Sequence, residues 1–125
     1  MNLKALDHVA VAVGDVELSA HWYVEVLGLT RQHDDVWNGY PVFVGNGAAA
    51  VALFPIRGNS ASESSSGIRI LHFAFGTTRS GFIAAQNELK ERNIDFEFED
   101  HQISHSIYFR DPDGHEIEIT THECE

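Results

Sequence analysis

Cysteine is almost missing from this 125-residue chain: the single one, Cys124, lies one residue from the end. A lone thiol excludes an internal disulfide, fits a reducing compartment and makes a poor start for a metal site. Basic residues are scarce as well. Eight Lys and Arg face nineteen Asp and Glu, the formal net charge is −11, and the cationic residues form no cluster. That balance repels phosphate backbones and anionic headgroups, so neither nucleic acid nor a membrane surface is expected as a partner. No apolar run approaches the roughly 20 residues that a membrane-spanning helix requires. The amino terminus shows no charged-then-apolar leader, so a soluble, cytoplasmic protein is expected.

Apolar residues make up 43% of the chain, an ordinary share for a globular protein. The length suffices for one real core if both halves contribute to it, whereas either half alone would be marginal. Histidine is plentiful, with eight copies. Two of them head matching segments. Leu6 to Val13 opens the first half and Ile70 to Gly76 the second, each with His-x-Ala inside an apolar run, at His8 and His72. A helical stretch follows each, closed by Gly28 at 20 residues past His8 and by Asn93 at 21 past His72. Both residue types tolerate the left-handed conformation beyond a helix end. The β-prone runs Val42-Phe43-Val44 and Ile107-Tyr108-Phe109 then match, as do the final strands Ala49 to Phe54 and Glu116 to Thr121. A period near 65 residues is too long for a solenoid unit and fits duplication of a β-α-β-β-β module.

Within the first module, Asp15 is a plausible N-cap for a helix whose Val16, Ala20, Tyr23, Val24 and Leu27 form a buried stripe. A strand begins at Leu29 to Arg31. His33 to Tyr40 reads as a loop or irregular hairpin, and Gly45-Asn46-Gly47 as a tight hairpin turn. In the second module Phe82, Ile83 and Leu89 belong to the helix, and Asp111-Pro112-Asp113-Gly114 is a strong turn signal. The polar stretch Gly58 to Gly67 falls between the copies and reads as a linker. The expected organisation is one α+β domain over 1–125, with module one at 5–55, a linker at 56–67 and module two at 68–122.

Alternation along strands sorts the side chains. His8, Ala10 and Ala12 share one face of the first strand, opposite Val9, Val11 and Val13. In the second copy His72, Ala74 and Gly76 leave space opposite Leu71, Phe73 and Phe75. In the last strand Ile117 and Ile119 turn inward, so Glu116, Glu118 and Thr120 face the open side. His8, His72 and Glu118 are thus expected to converge as ligands of one divalent cation. Two imidazoles and a carboxylate suit a first-row metal with open positions, ferrous iron first, with manganese, zinc, nickel and cobalt also compatible. The position matching Glu118 in the first half is Ala52, so three protein ligands are expected and about three positions stay open. His21, His33, His115 and His122 are expected to be solvated. Arg57, Trp37 and Tyr40 are candidates for shaping a pocket.

The segments Leu6-Asp7-His8-Val9-Ala10-Val11, Leu71-His72-Phe73-Ala74-Phe75 and Tyr108-Phe109-Arg110-Asp111-Pro112-Asp113-Gly114-His115-Glu116-Ile117-Glu118 resemble the vicinal oxygen chelate superfamily. That group includes glyoxalase I, fosfomycin-resistance enzymes, epimerases, bleomycin-resistance proteins and extradiol ring-cleaving dioxygenases. The resemblance covers nearly the whole chain. It implies paired modules forming a half-open β-barrel around the metal, flanked by helices, and a homodimer acting on a small molecule. Glyoxalase I and the epimerases usually take a fourth ligand from the position of Ala52, and bleomycin binders generally lack the triad. Three-ligand sites occur in extradiol dioxygenases and fosfomycin-resistance enzymes. The stretch Asp100 to Phe109 resembles the segment before the final ligand in catechol-type extradiol enzymes. On that likeness Tyr108, ten residues before Glu118, hydrogen-bonds a substrate oxygen, and His101, or else His105, handles protons. The resemblance therefore implies a metal-dependent oxygenase of a catechol-like substrate, with a fosfomycin-resistance-type or glyoxalase-type enzyme, or a non-catalytic binding module, as alternatives.

Overall fold

Strand β1 (His8–Val13) shows the alternation that its sequence predicts. His8, Ala10 and Ala12 are exposed, Val9 and Val11 are half-buried, and Val13 is fully buried. The structure, a computed structural model, describes residues 1–56 and 67–124. The expected linker, apart from Ile56 and Gly67, lies outside the described residues, as does Arg57. The chain divides between Ile68 and Arg69 into two units, each a β-α-β-β-β module.

In the first unit β1 leads to helix α1 (Val16–Leu27), then β2 (Thr30–Gln32), β3 (Val42–Gly45) and β4 (Ala50–Pro55). Asp15 caps α1, its side chain accepting from the Leu18 amide, and Gly28 ends it at φ 71°, where a Cβ would strain the backbone. The strands form one sheet in the order β1-β4-β3-β2, with β1 parallel to β4 and the other pairs antiparallel. Helix α1 lies across β2, β3 and β4. It buries Val16, Ala20 and Tyr23 with Val44, Val51 and Leu53. Each of the valine and leucine side chains contributes about 1.5–3 kcal/mol when taken fully out of water.

The second unit repeats the plan with β5 (Phe73–Gly76), helix α2 (Arg79–Glu91), β6 (Glu97–Asp100), β7 (His105–Arg110) and β8 (Glu116–Thr121). Its sheet order, β5-β8-β7-β6, is that of the first unit, and its only parallel pair is again the first strand with the last. Thr78 caps α2 through its hydroxyl, and Asn93 takes φ 58° just beyond the helix. Phe82 and Leu89 are buried with Ile107, Phe109 and Ile117.

Three details depart from the sequence expectation. The fifth strand begins at Phe73, not Ile70, so His72 sits one residue ahead of the ladder. The turn between β3 and β4 spans four residues, not two, because the Asn46 side chain accepts from the Ala48 and Ala49 amides and holds a wider loop. Strand β6 carried no sequence signal: all four of its residues are exposed, and it is held by pairing with β7. The Asp111 to Gly114 turn forms as expected, with buried Asp111 accepting from the Asp113 and His115 amides.

Candidate metal centre

The strand registers confirm the duplication residue by residue. Ala10 pairs with Ala52 across β1 and β4, and Ala74 pairs with Glu118 across β5 and β8. Each alanine lies two residues past its histidine, so Ala52 and Glu118 are equivalent positions of the two modules. The next strand continues the row, with Phe43 opposite Ala52 and Tyr108 opposite Glu118. Phe43 is therefore the first module's counterpart of Tyr108.

His72 and Glu118 meet on the open face of the second sheet, with Nε2 2.9 Å from Oε1. Two donors each about 2.1 Å from one cation and at right angles to one another stand about 3.0 Å apart, so this spacing fits neighbouring positions of an octahedral ion. The rest of the surroundings suits ligands too. Nδ1 of His72 lies 3.6 Å from a Glu116 carboxylate oxygen, while Nε2 faces Glu118. The Ser106 hydroxyl, fully buried, donates to the other oxygen of Glu118 at 2.6 Å and also lies 3.0 Å from Thr120 Oγ1. Glu118 thus has one oxygen anchored by Ser106 and the other turned to His72.

The third expected donor, His8, belongs to the first unit. It is arranged as His72 is, with Nδ1 2.8 Å from Asp7 Oδ2 and Nε2 left outward. Among the described residues no group of three or more His, Cys, Asp or Glu side chains surrounds one point. The structure thus brings together two of the three expected ligands, and the meeting of His8 with them belongs to the proposal below.

His101 and Tyr108 come together. Nε2 of His101 lies 3.0 Å from the Tyr108 hydroxyl, and a Glu99 carboxylate oxygen is 3.6 Å from the same nitrogen. Tyr108 turns its ring edge-on to His72, with centroids 5.6 Å apart. Burial first, then the charge of Glu118, pushes the Tyr108 phenol above its ordinary pKa, which keeps it a proton-bearing donor at neutral pH. His105 lies on the opposite face of β7, against the rings of Phe82 and Phe98, so His101 is the histidine that accompanies Tyr108. A cavity of about 470 Å³ opens beside these groups, lined by His72, Tyr108, Leu71, Arg69, Arg110, Glu97, Glu99 and Glu116.

Sequence reasoning missed Ser106, Glu116 as an orienting carboxylate, Asp7 and Phe43. Ser106 could have been found, since strand alternation puts it on the face of Tyr108. Asp7 and Glu116 flank the expected ligands, but nothing in their spacing shows which imidazole nitrogen they address. Trp37 stacks on Phe43 at 5.2 Å, while Tyr40 is exposed on the same loop. His21, His33 and His122 are exposed as expected, and His115 is part-covered.

The family model described as Glyoxalase/Bleomycin resistance protein/Dioxygenase superfamily matches residues 5–119. The chain belongs to this superfamily. Its members are generally divalent-metal-dependent, which accords with the donor set on β8 and before β5. Among characterised proteins, the superfamily chain described here is 27% identical to "Glutathione transferase FosA" of Serratia marcescens over 118 residues, 94% of this chain and 80% of that protein. Among solved structures, it matches a glyoxalase/dioxygenase from Nostoc punctiforme at TM-score 0.76 and 25% identity, covering 96% of this chain and 92% of the other. It also matches the integron cassette protein HFX_CASS4, from the mobile metagenome of the Halifax Harbour sewage outfall, at TM-score 0.74 and 26% identity over 95% and 99% of the two chains. No helix among the described residues is long and apolar enough to cross a membrane.

Proposed function

We propose that this superfamily member is a divalent-metal-dependent enzyme in which His8, His72 and Glu118 hold the cation, and that it is an extradiol-type oxygenase of a small catechol-like substrate. The observation that carries the reading is the His101–Tyr108 pair, 3.0 Å apart, with Tyr108 edge-on to His72 and opposite Glu118 in register. Ferrous iron is the favoured metal, with manganese, zinc and nickel compatible with the same donors. Held there, the cation supplies Lewis acidity to a substrate with two adjacent oxygens and a binding position for dioxygen. The Tyr108 hydroxyl donates to a substrate oxygen, and His101, whose Nε2 lies 3.0 Å from that hydroxyl, exchanges a proton there. Ser106 holds Glu118, and Glu116 and Asp7 lie beside Nδ1 of the two imidazoles to orient them. The two modules acting as one domain, and assembly as a homodimer, belong to the same reading.

Similarity to the Serratia marcescens protein supports a second reading, addition of a thiol to an epoxide antibiotic such as fosfomycin. The cavity weighs against it. Glu97, Glu99 and Glu116 outnumber Arg69 and Arg110 on its wall, and Arg110 is already bonded to Glu116 at 3.2 Å. That net negative charge would repel a dianionic phosphonate more than a catechol, which carries less charge.

The decisive experiment loads the protein anaerobically with ferrous iron and follows oxygen uptake across a catechol panel. Uptake matching catechol loss is expected. Protein carrying one iron per chain that consumes no oxygen with any catechol would overturn the oxygenase reading, and manganese-dependent loss of fosfomycin with glutathione present would install the second.

A further inference from the structure

The face of the first sheet that carries His8 is built differently from its copy in the second. Where the second module sets Glu118 and Tyr108, the first sets Ala52 and Phe43, which removes the charge and the hydroxyl but keeps the ring. Phe43 lies 5.1 Å from the His8 ring, as Tyr108 lies 5.6 Å from His72. The loop after β2 returns to this ring: Trp37 stacks on it, and His33 meets both Trp37 and Phe43 edge-on at 5.8 Å. Trp37 stays over a third exposed, so the cluster is not closed off as a core.

A cavity of about 170 Å³ opens beside Phe43 and His33, floored by Ala48, Ala49 and Ala50 and edged by Asp7 and Gln32. A volume of this size matches that of a single six-membered ring, since cavities of about 150 Å³ hold one benzene. Its walls are graded. Alanines and Phe43 offer apolar and π surface, while Asp7, Gln32 and His33 supply acceptors and donors at the rim for ring hydroxyls.

We propose that this cavity is a recognition site for single-ring hydroxylated aromatics, in which Phe43 and His33 select the ring and the small residue Ala48 keeps the mouth open. The inference rests on the oxygenase reading only for its purpose, since the site lies within one module and needs no metal. It makes Phe43, Trp37 and His33 specificity-determining residues at His8, whose Nδ1 is held by the same Asp7 that edges the cavity.

The test uses chelator-treated full chain with Trp22→Phe, so that Trp37 is the remaining tryptophan and its fluorescence reports on the cluster. Phenol is titrated as the probe, with 2-naphthol and cyclohexanol as size and π controls. Saturable quenching by phenol is expected, with tighter binding than either control. Phe43→Leu and Ala48→Leu should each raise the phenol dissociation constant at least about fivefold, the first by removing the π face and the second by filling the mouth. Ala48 is exposed, so that variant keeps its fold even if Phe43→Leu does not. Unchanged phenol binding in Ala48→Leu, or cyclohexanol binding as tightly as phenol, would overturn the site. Oxygen uptake by ferrous protein is read in parallel. Loss of phenol binding in the variants with no turnover of any catechol upholds this site and rejects the oxygenase, whereas catechol turnover with unchanged KM in Ala48→Leu does the reverse.

Discussion

Tyr108 and Glu118 are direct partners across the antiparallel β7–β8 ladder, so a proton-bearing phenol and a carboxylate share one row of the sheet face. The pairing follows from the Asp111 to Gly114 turn, which sets the register. A one-residue slip would send Glu118 to the helix side and Ile117 into solvent.

That register makes the first prediction. Glu118→Gln keeps an acceptor for the Ser106 hydroxyl but removes the charge, and His72→Ala removes the imidazole. Each should lower bound iron or manganese, measured by elemental analysis after gel filtration, from about one per chain to a trace, since each removes or neutralises one of the three proposed ligands. Both side chains are partly exposed, so thermal unfolding of metal-free protein should change little. His8→Ala should lose metal to the same extent. Full metal retention in His8→Ala would show that the first module supplies no ligand.

Ser106 tests the anchoring of the carboxylate. Its hydroxyl is buried and bonded to both Glu118 and Thr120, so Ser106→Ala should cost about 1–2 kcal/mol of stability in denaturant titration. Metal affinity should fall about tenfold or more, as with other partners that orient ligands. A variant with the stability loss but wild-type affinity would leave Ser106 a packing residue alone.

Much of this site was legible in the sequence because strand periodicity and an internal repeat constrain one another. Alternation put His72 and Glu118 on one face, and the repeat made Ala52 the missing counterpart. Orientation about each residue was not legible, since a spacing does not reveal that Glu116 addresses Nδ1 or that His105 turns toward Phe82. Strand β6 was invisible for a different reason: its stability comes from pairing with β7, and its Glu-Phe-Glu-Asp sequence has no buried face to mark it. How the two modules combine is set by surfaces between them, which periodicity within a strand does not encode.

The turn that fixes the register should be measurable by itself. Asp111 is 5% exposed and its Oδ1 accepts from two amides at 2.9 and 2.8 Å. Asp111→Ala leaves both donors unmet and should cost about 2–4 kcal/mol, with Asp111→Asn recovering part through its remaining carbonyl. Chemical denaturation checks the size. Metal affinity should fall alongside stability in Asp111→Ala, because Glu118 depends on the same ladder.

His101 and Tyr108 separate chemistry from binding. Neither is expected to ligate the cation, so Tyr108→Phe and His101→Ala should retain metal in full, and His101, exposed on its loop, should cost less than about 0.5 kcal/mol of stability. If the pair transfers protons, kcat for catechol oxygenation should fall about 10²–10⁴-fold in His101→Ala with KM changed far less. The pH profile supplies a readout that a structural role would not move: the limb assigned to the imidazole should vanish in His101→Ala and persist in Tyr108→Phe. A His101→Ala enzyme with wild-type kcat and an unaltered profile would reduce the 3.0 Å contact to a surface hydrogen bond and return the proton-handling role to solvent.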